Sequence, residues 1–212
     1  MPDWLKKTLA FLAAVLGILI IVAVVMEIFF VDRVTVANNS MAPTIMAGDI
    51  VLMWRGAELE QNDVALCKHP RDPNRYVIGR VMGFPGNTIE HGRGGLLING
   101  RRITTDWKGE RRLVDPAAGR NERWLRAWEE LSDYEGHWML MQPNRILTIP
   151  VKHVRTGLFL MSDHRYYRGE DSRAFGDVPK ANCVGEIFMV LWPSDNAGAD
   201  FPASERRFDI ID

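Results

Sequence analysis

Between Lys68 and Lys108 the chain has no lysine, so that stretch offers no primary amine to any site. Histidines are few, five in 212 residues, and they are scattered. There are two cysteines, Cys67 and Cys183, and no Cys-x-x-Cys pair. The spacings that hold a metal are therefore missing, and neither a metal nor a cofactor is implied. An excess of charge is missing too. Lys plus Arg number 26 against 27 Asp plus Glu, a formal net charge of −1. That balance excludes the clearly basic surface a nucleic-acid partner needs. Charge is nearly absent from residues 9–31, where Glu27 is the one ionisable side chain. The chain has no internal repeat.

What stands in residues 9–31 is "LAFLAAVLGILIIVAVVMEIFFV". About 20 apolar residues suffice for a helix to cross a bilayer. A removable secretory signal has a shorter apolar region, about 7–15 residues, and ends in small residues. This run ends in Ile28, Phe29, Phe30 and Val31, which predicts a retained anchor with the lipid bilayer as a partner. Lys6 and Lys7 precede it, while Asp32 and Arg33 cancel on the far side. The positive-inside bias leaves residues 1–8 in the cytoplasm and everything after Val31 on the exported side. Glu27 lies about one turn from the end of the span and is expected to reach the interface. An exported domain permits a Cys67–Cys183 disulfide, but two buried thiols fit the apolar contexts "VALCKH" and "ANCVGEIF" as well.

Beyond the anchor, short β-type runs are bounded by Gly, Pro, Asn and Asp: "RVTVA", "DIVLM", "DVALC", "RYVIGRVMGF", "GLLING", "ILTIPV", "GLFLMS" and "GEIFMVLW". Asn99-Gly100 reads as a two-residue hairpin turn. In "RNERWLRAWEELSDYEG", Trp124, Leu125, Trp128 and Leu131 recur at helical spacing, with Asn121 to cap and Gly136 to terminate. The reading is a mostly β fold. A β core (32–100, with return of the chain at 154–195) carries a smaller inserted subdomain (101–153) containing one helix, behind one transmembrane helix. Residues 196–212 form a polar tail expected to be loosely ordered.

Three segments then fall in order. "NNSMAPTIMAGDIVLM" sets Ser40 in a polar turn ahead of a strand, a pattern that suits an ordinary turn or an exposed nucleophile. "RYVIGRVMGFPGN" follows, and then "MSDHRYYRGEDSRAFGDVP". Together, behind an N-terminal anchor and before a closing "VGEIFMVLWP", they resemble the three boxes of the type I signal peptidases. The resemblance runs from the anchor to Pro193. It implies a signal-peptidase-like β core and a membrane-anchored serine endopeptidase. Such enzymes cut signal peptides after small residues, acting on exported preproteins still tethered to the membrane. Carried over, Ser40 is the nucleophile. Its backbone N–H and the Asn38 side chain form the oxyanion hole. Val36, Met41, Ile45 and Ile78 shape shallow pockets for small residues, although plain core packing suits these four nearly as well. Arg80, Asp163, Arg165, Asp171 and Arg173 form a charged framework, read either as a solvated cluster or as a partly buried network.

The resemblance also exposes a departure. The family's general base is a Lys immediately before the residue matching Arg80, and here that residue is Gly79. The Ser that orients the Lys is replaced by Gly169, or by Arg168 if the extra residue of this box lies elsewhere. Glycine accepts no proton, and general-base help contributes roughly 10²–10⁴-fold. His164 and His91 are the candidate substitutes. Two functions follow: a membrane protein that binds signal peptides with impaired or absent cleavage, or a fully active signal peptidase that uses another base to release exported proteins from the membrane.

Overall fold

The structure, a computed structural model, describes residues 2–92, 95–115, 121–131, 136–143, 147–167, 169–195, 198 and 200–211. Arg168 and the side chain of Glu27 lie outside the described residues. Helix α1 (Asp3–Phe29) is one continuous apolar rod. Its segment Asp3–Val22 is long and apolar enough to cross a membrane, and none of it is buried against the rest of the chain.

Thirteen strands follow among the described residues. They are β1 (Val31–Thr35), β2 (Ile50–Arg55), β3 (Val64–His69), β4 (Asp72–Gly83), β5 (Thr88–Gly92), β6 (Gly95–Ile98), β7 (Arg101–Arg102), β8 (Thr104–Asp115), β9 (Asn121–Leu131), β10 (Gly136–Met141), β11 (Ile149–His153), β12 (Phe159–Met161) and β13 (Cys183–Trp192). Short helices α2 (Ser172–Phe175) and α3 (Ala203–Arg206) complete the chain. The strands make a six-stranded sheet in the order β1-β2-β13-β3-β4-β12, a four-stranded sheet β11-β5-β6-β7 and a three-stranded sheet β10-β9-β8. The β6–β7 hairpin turns on Asn99 (φ 53°) and Gly100 (φ 75°), the left-handed pair that a two-residue turn requires.

Two packing layers set up the site. Met82, Ile89, Leu96, Ile149, Phe159 and Met161 join the six-stranded sheet to the four-stranded one. Ala42 and Met46, from the loop after β1, pack with Leu113, Leu125, Ala127 and Leu140 of the three-stranded sheet. Each large apolar side chain so buried contributes about 1.5–3 kcal/mol.

Three readings change here. The helix expected between Asn121 and Gly136 is absent: residues 121–131 are β9, and Gly136 opens β10. The same residues carry a two-residue period, with Leu125 and Ala127 turned to the core. Pairing with β8 along its length and with β10 from Arg126 to Leu131 gives the backbone of β9 cross-strand partners in place of helical ones. Trp107 and Trp128 add an edge-on ring contact at 5.1 Å, and Arg112 lies 5.4 Å from the Trp124 ring. The strands β8, β9 and β10 thus form a three-stranded sheet.

The tail also departs from expectation, because its described residues are docked. Arg206 is buried against the Asp49 carboxylate and donates to Ser194 O at 2.9 Å. Phe201 and Ile211 join the core clusters, and Ile210 bridges to Met189. Finally, the cysteine question resolves as a disulfide: Cys67 of β3 and Cys183 of β13 are register partners and are bonded.

Candidate functional site

The chain leaves β1 and folds through residues 36–49 before entering β2. Val36 N–H donates to Asp49 O (2.9 Å) and Gly48 N–H to Val36 O (2.8 Å), which closes the loop at its base. Inside it, Asn39 accepts from Ala47 N–H (2.8 Å) and reaches Val114 O (3.1 Å). Asp49 accepts from Met46 N–H (2.8 Å) and Ser194 N–H (2.7 Å). Ser40 is therefore held by a loop braced against both the three-stranded sheet and the tail.

Ser40 lines a cavity of about 370 Å³. One wall is β1 and its extension, from Arg33 to Asn38; the other is Tyr76, Val77 and Ile78 of β4. Leu66 and Glu170 complete the lining. β1 ends the six-stranded sheet, and β4 pairs with β12 only from Arg80 onward. The cleft thus lies between two strand edges that carry no strand partner among the described residues.

The expected site residues separate on this geometry. Val36 and Ile78 line the cleft. Met41 and Ile45 do not; both are fully buried in the core cluster beneath it. Asn38 is beside Ser40, but its Oδ1 accepts the Ser40 N–H at 2.9 Å. An oxyanion hole built from that N–H therefore requires Asn38 to turn away. Ser40 O accepts from His164 N–H (2.9 Å), so the third box packs directly on the Ser40 turn.

Gly79 lies opposite Ala65 in β4. A Cβ built there would stand 2.9 Å from Leu160 Cβ, so Leu160 occupies the direction in which a side chain would leave. Gly169 sits at φ +82°, a conformation in which a serine is strained. Neither candidate histidine lines the cleft. His164 is buried with its ring 5.6 Å from Tyr167. His91 belongs to the four-stranded sheet and donates through Nδ1 to Leu147 O (2.9 Å). Burial holds its pKa below the usual value.

The charged framework is interior. Arg80 and Asp163 are both fully buried and make a two-point contact, Nε to Oδ1 at 3.1 Å and Nη2 to Oδ2 at 3.0 Å. Arg80 also donates to Asn62 O (2.7 Å), and Thr44 Oγ1 donates to Asp163 (2.5 Å). Arg165, equally buried, donates to Ser162 O (2.8 Å) and pairs with Glu130. Asp171 caps α2, accepts from Ser162 N–H (3.1 Å) and binds Arg173, which reaches Arg165 O (2.5 Å).

These contacts shift the acids and bases. Burial, the largest single influence, would raise the Asp163 carboxyl; the Arg80 charge and hydrogen bond together with the His137 and Arg165 charges outweigh it and hold the pKa below the usual range. Glu130 is likewise raised by burial but brought down to about 2 by Arg165 and by a hydrogen bond from His137. Burial, then the Arg80 charge, keeps the His137 pKa below its ordinary value. Glu130 escaped the sequence reading because its segment looked helical; His137, just beyond that segment, and Glu170 and Tyr76 carried no local signal.

Residues 8–192 match the family described as signal peptidase, peptidase S26. The chain is 28% identical over 208 residues to signal peptidase I of Pseudomonas aeruginosa, covering 81% of this chain and 69% of that one. It is 27% identical over 187 residues to signal peptidase I V of Bacillus subtilis (86% and 98% covered). It is 24% identical over 193 residues to a Staphylococcus aureus protein named inactive signal peptidase IA (89% and 94% covered). The crystal structure of a signal peptidase I from Enterococcus faecalis aligns with a TM-score of 0.36 at 26% identity, over 62% of this chain and 97% of that one. The family match begins inside α1 and ends on the last residue of β13, so it takes in all three sheets, and the chain belongs to the signal peptidase, peptidase S26, family.

Proposed function

We propose that this chain is a membrane-anchored protein that binds signal peptides on the exported side of the membrane and cleaves them weakly or not at all. The observation that carries this reading is Gly79. It stands where the resemblance puts the base, and Leu160 fills the space a side chain would use. No Lys and no His lines the Ser40 cleft among the described residues. Glu170 is the one carboxylate among the lining residues, and it is tied to Arg75. A serine hydroxyl without a base is a weak nucleophile.

The binding half of the proposal rests on the two strand edges. An extended peptide laid between β1 and β4 gains backbone hydrogen bonds by strand addition, while pockets beside Val36 and Ile78 admit small side chains. In this reading Ser40 keeps the nucleophile's place, and its N–H keeps that of the oxyanion hole once the Asn38 amide turns its oxygen away. Arg80, Asp163, Arg165, Asp171 and Arg173 hold the loop in shape. Met41 and Ile45 form the floor rather than the pocket. A signal peptide ending in Ala-x-Ala, labelled with a fluorophore, should bind the detergent-solubilised chain. Replacing Val36 or Ile78 with Trp should weaken that binding at least tenfold. Equal binding by native and Trp variants would remove the cleft from the account.

Location is supported by α1 and by the disulfide. A Cys67–Cys183 bond persists in an oxidising compartment, outside the cytoplasm of most cells. Protease added to the exported face of intact membranes should degrade the region after Val31. Full protection of that region would reverse the topology.

A further inference from the structure

The Ser40 cleft changes character along its length. Around Val36, Leu66, Val77 and Ile78 its lining is apolar. Arg33 and Tyr76 line it as well, with Glu170 set at the Tyr76 end by its pairing with Arg75. Arg33 is three residues from Val36 along β1, about 10 Å, which is three residues of an extended peptide. The charged end therefore faces the residue about three positions before the one held between Val36 and Ile78.

Glu170 is the informative group there. The neighbouring Asp171 fixes its backbone, being buried and bonded to Ser162 N–H and to Arg173. Its side chain is 16% exposed, and one oxygen, Oε1, is engaged by Arg75. A carboxylate accepts up to about four hydrogen bonds. Among the described residues no second partner is found for this one, so Oε2 remains for a ligand. A half-sheltered carboxylate penalises an apolar side chain that strips its water and favours a donor that replaces it.

We infer that Glu170 is a specificity-determining residue of this cleft, selecting peptides with a Lys or Arg about three residues before the small residue that sits beside Ser40. The inference rests on the peptide-binding reading above. It distinguishes the substrate class from one with an unbroken apolar run up to the cleavage point.

The test uses the full chain in detergent and three labelled peptides, identical except for Lys, Leu or Glu at that position. The Lys peptide is expected to bind on the order of tenfold more tightly than the Leu peptide. Glu170→Gln should erase that difference, weakening the Lys peptide and relieving the desolvation penalty on the Leu peptide. Arg75→Gln, which releases Oε1, should widen it. Equal affinities for Lys and Leu, a preference for Glu, or a Lys preference that survives Glu170→Gln would each overturn the inference while the peptide-binding reading stands. Failure of all three peptides to bind would overturn that reading, and the inference with it.

Discussion

Asp163→Asn is expected to destabilise the β-sheet portion of the chain by about 3–5 kcal/mol, because it leaves the Arg80 guanidinium buried without its counter-charge. Both partners are completely buried. Asparagine preserves the shape and one acceptor, so the loss reports charge and not a cavity. Asp171→Asn is the internal comparison: its partner Arg173 is 16% exposed, and solvent can take over part of the lost interaction. Urea unfolding of the two variants should therefore rank Asp163 well above Asp171. Equal, small losses would mean that the framework is a solvated charge cluster after all.

The same network fixes the direction of the pH response. Asp163 and Glu130 have folded-state pKa values below their unfolded ones, so their contribution is complete above about pH 4.5 and is lost as the pH falls toward 2. Burial lowers the pKa of His137 and of His91, so both also withdraw stability on acidification, starting below about pH 6.5. Stability should thus decline in two stages on the acid side, and Asp163→Asn should flatten the lower stage.

The second large effect concerns Gly79. Restoring the lysine alone is expected to destabilise the fold by about 1–3 kcal/mol through overpacking and to leave cleavage unchanged. The obstruction is Leu160 Cβ itself, so Leu160→Ala does not relieve it, whereas Leu160→Gly does. In the Gly79→Lys/Leu160→Gly pair, the buried Ala65 opposite it and Val81 two residues on would lower the amine's pKa toward neutrality. Cleavage should then rise on the order of 10²-fold, the lower end of general-base effects, since no orienting hydroxyl is present. A serine at 169 would not supply one cheaply, given φ +82°. If Gly79→Lys folds with the native midpoint and cleaves, Leu160 is no barrier. If the pair folds but stays inert, more than the base has been lost.

Much of this arrangement could be read before the fold was seen, and the failures share a cause. The apolar length of residues 9–31 and the Asn99-Gly100 turn are local signals, and each led to the right element. Residues 121–131 carry both a helical and an alternating period. The choice between them is made by β8 and β10, which lie elsewhere in the chain. Reading them as a helix hid the partnership of Glu130 with Arg165 and His137, since those groups meet across strands. The tail looked dispensable by composition, yet Arg206 finds a buried carboxylate 157 positions earlier. Motif register singled out Gly79 as the proposed place of the missing base. That Leu160 blocks it is a contact between β4 and β12 that no single segment announces.

The central claim is that the cleft survives without its base, and one measurement bears on it most directly. The native chain and Ser40→Ala, both solubilised in detergent, are incubated with a signal-peptide substrate that the native chain binds, and product is followed to long times. The account predicts that the two preparations release product at the same slow rate, at or near background. Turnover by the native chain that Ser40→Ala abolishes would contradict it, and would establish a working peptidase whose base is a residue other than the one at position 79.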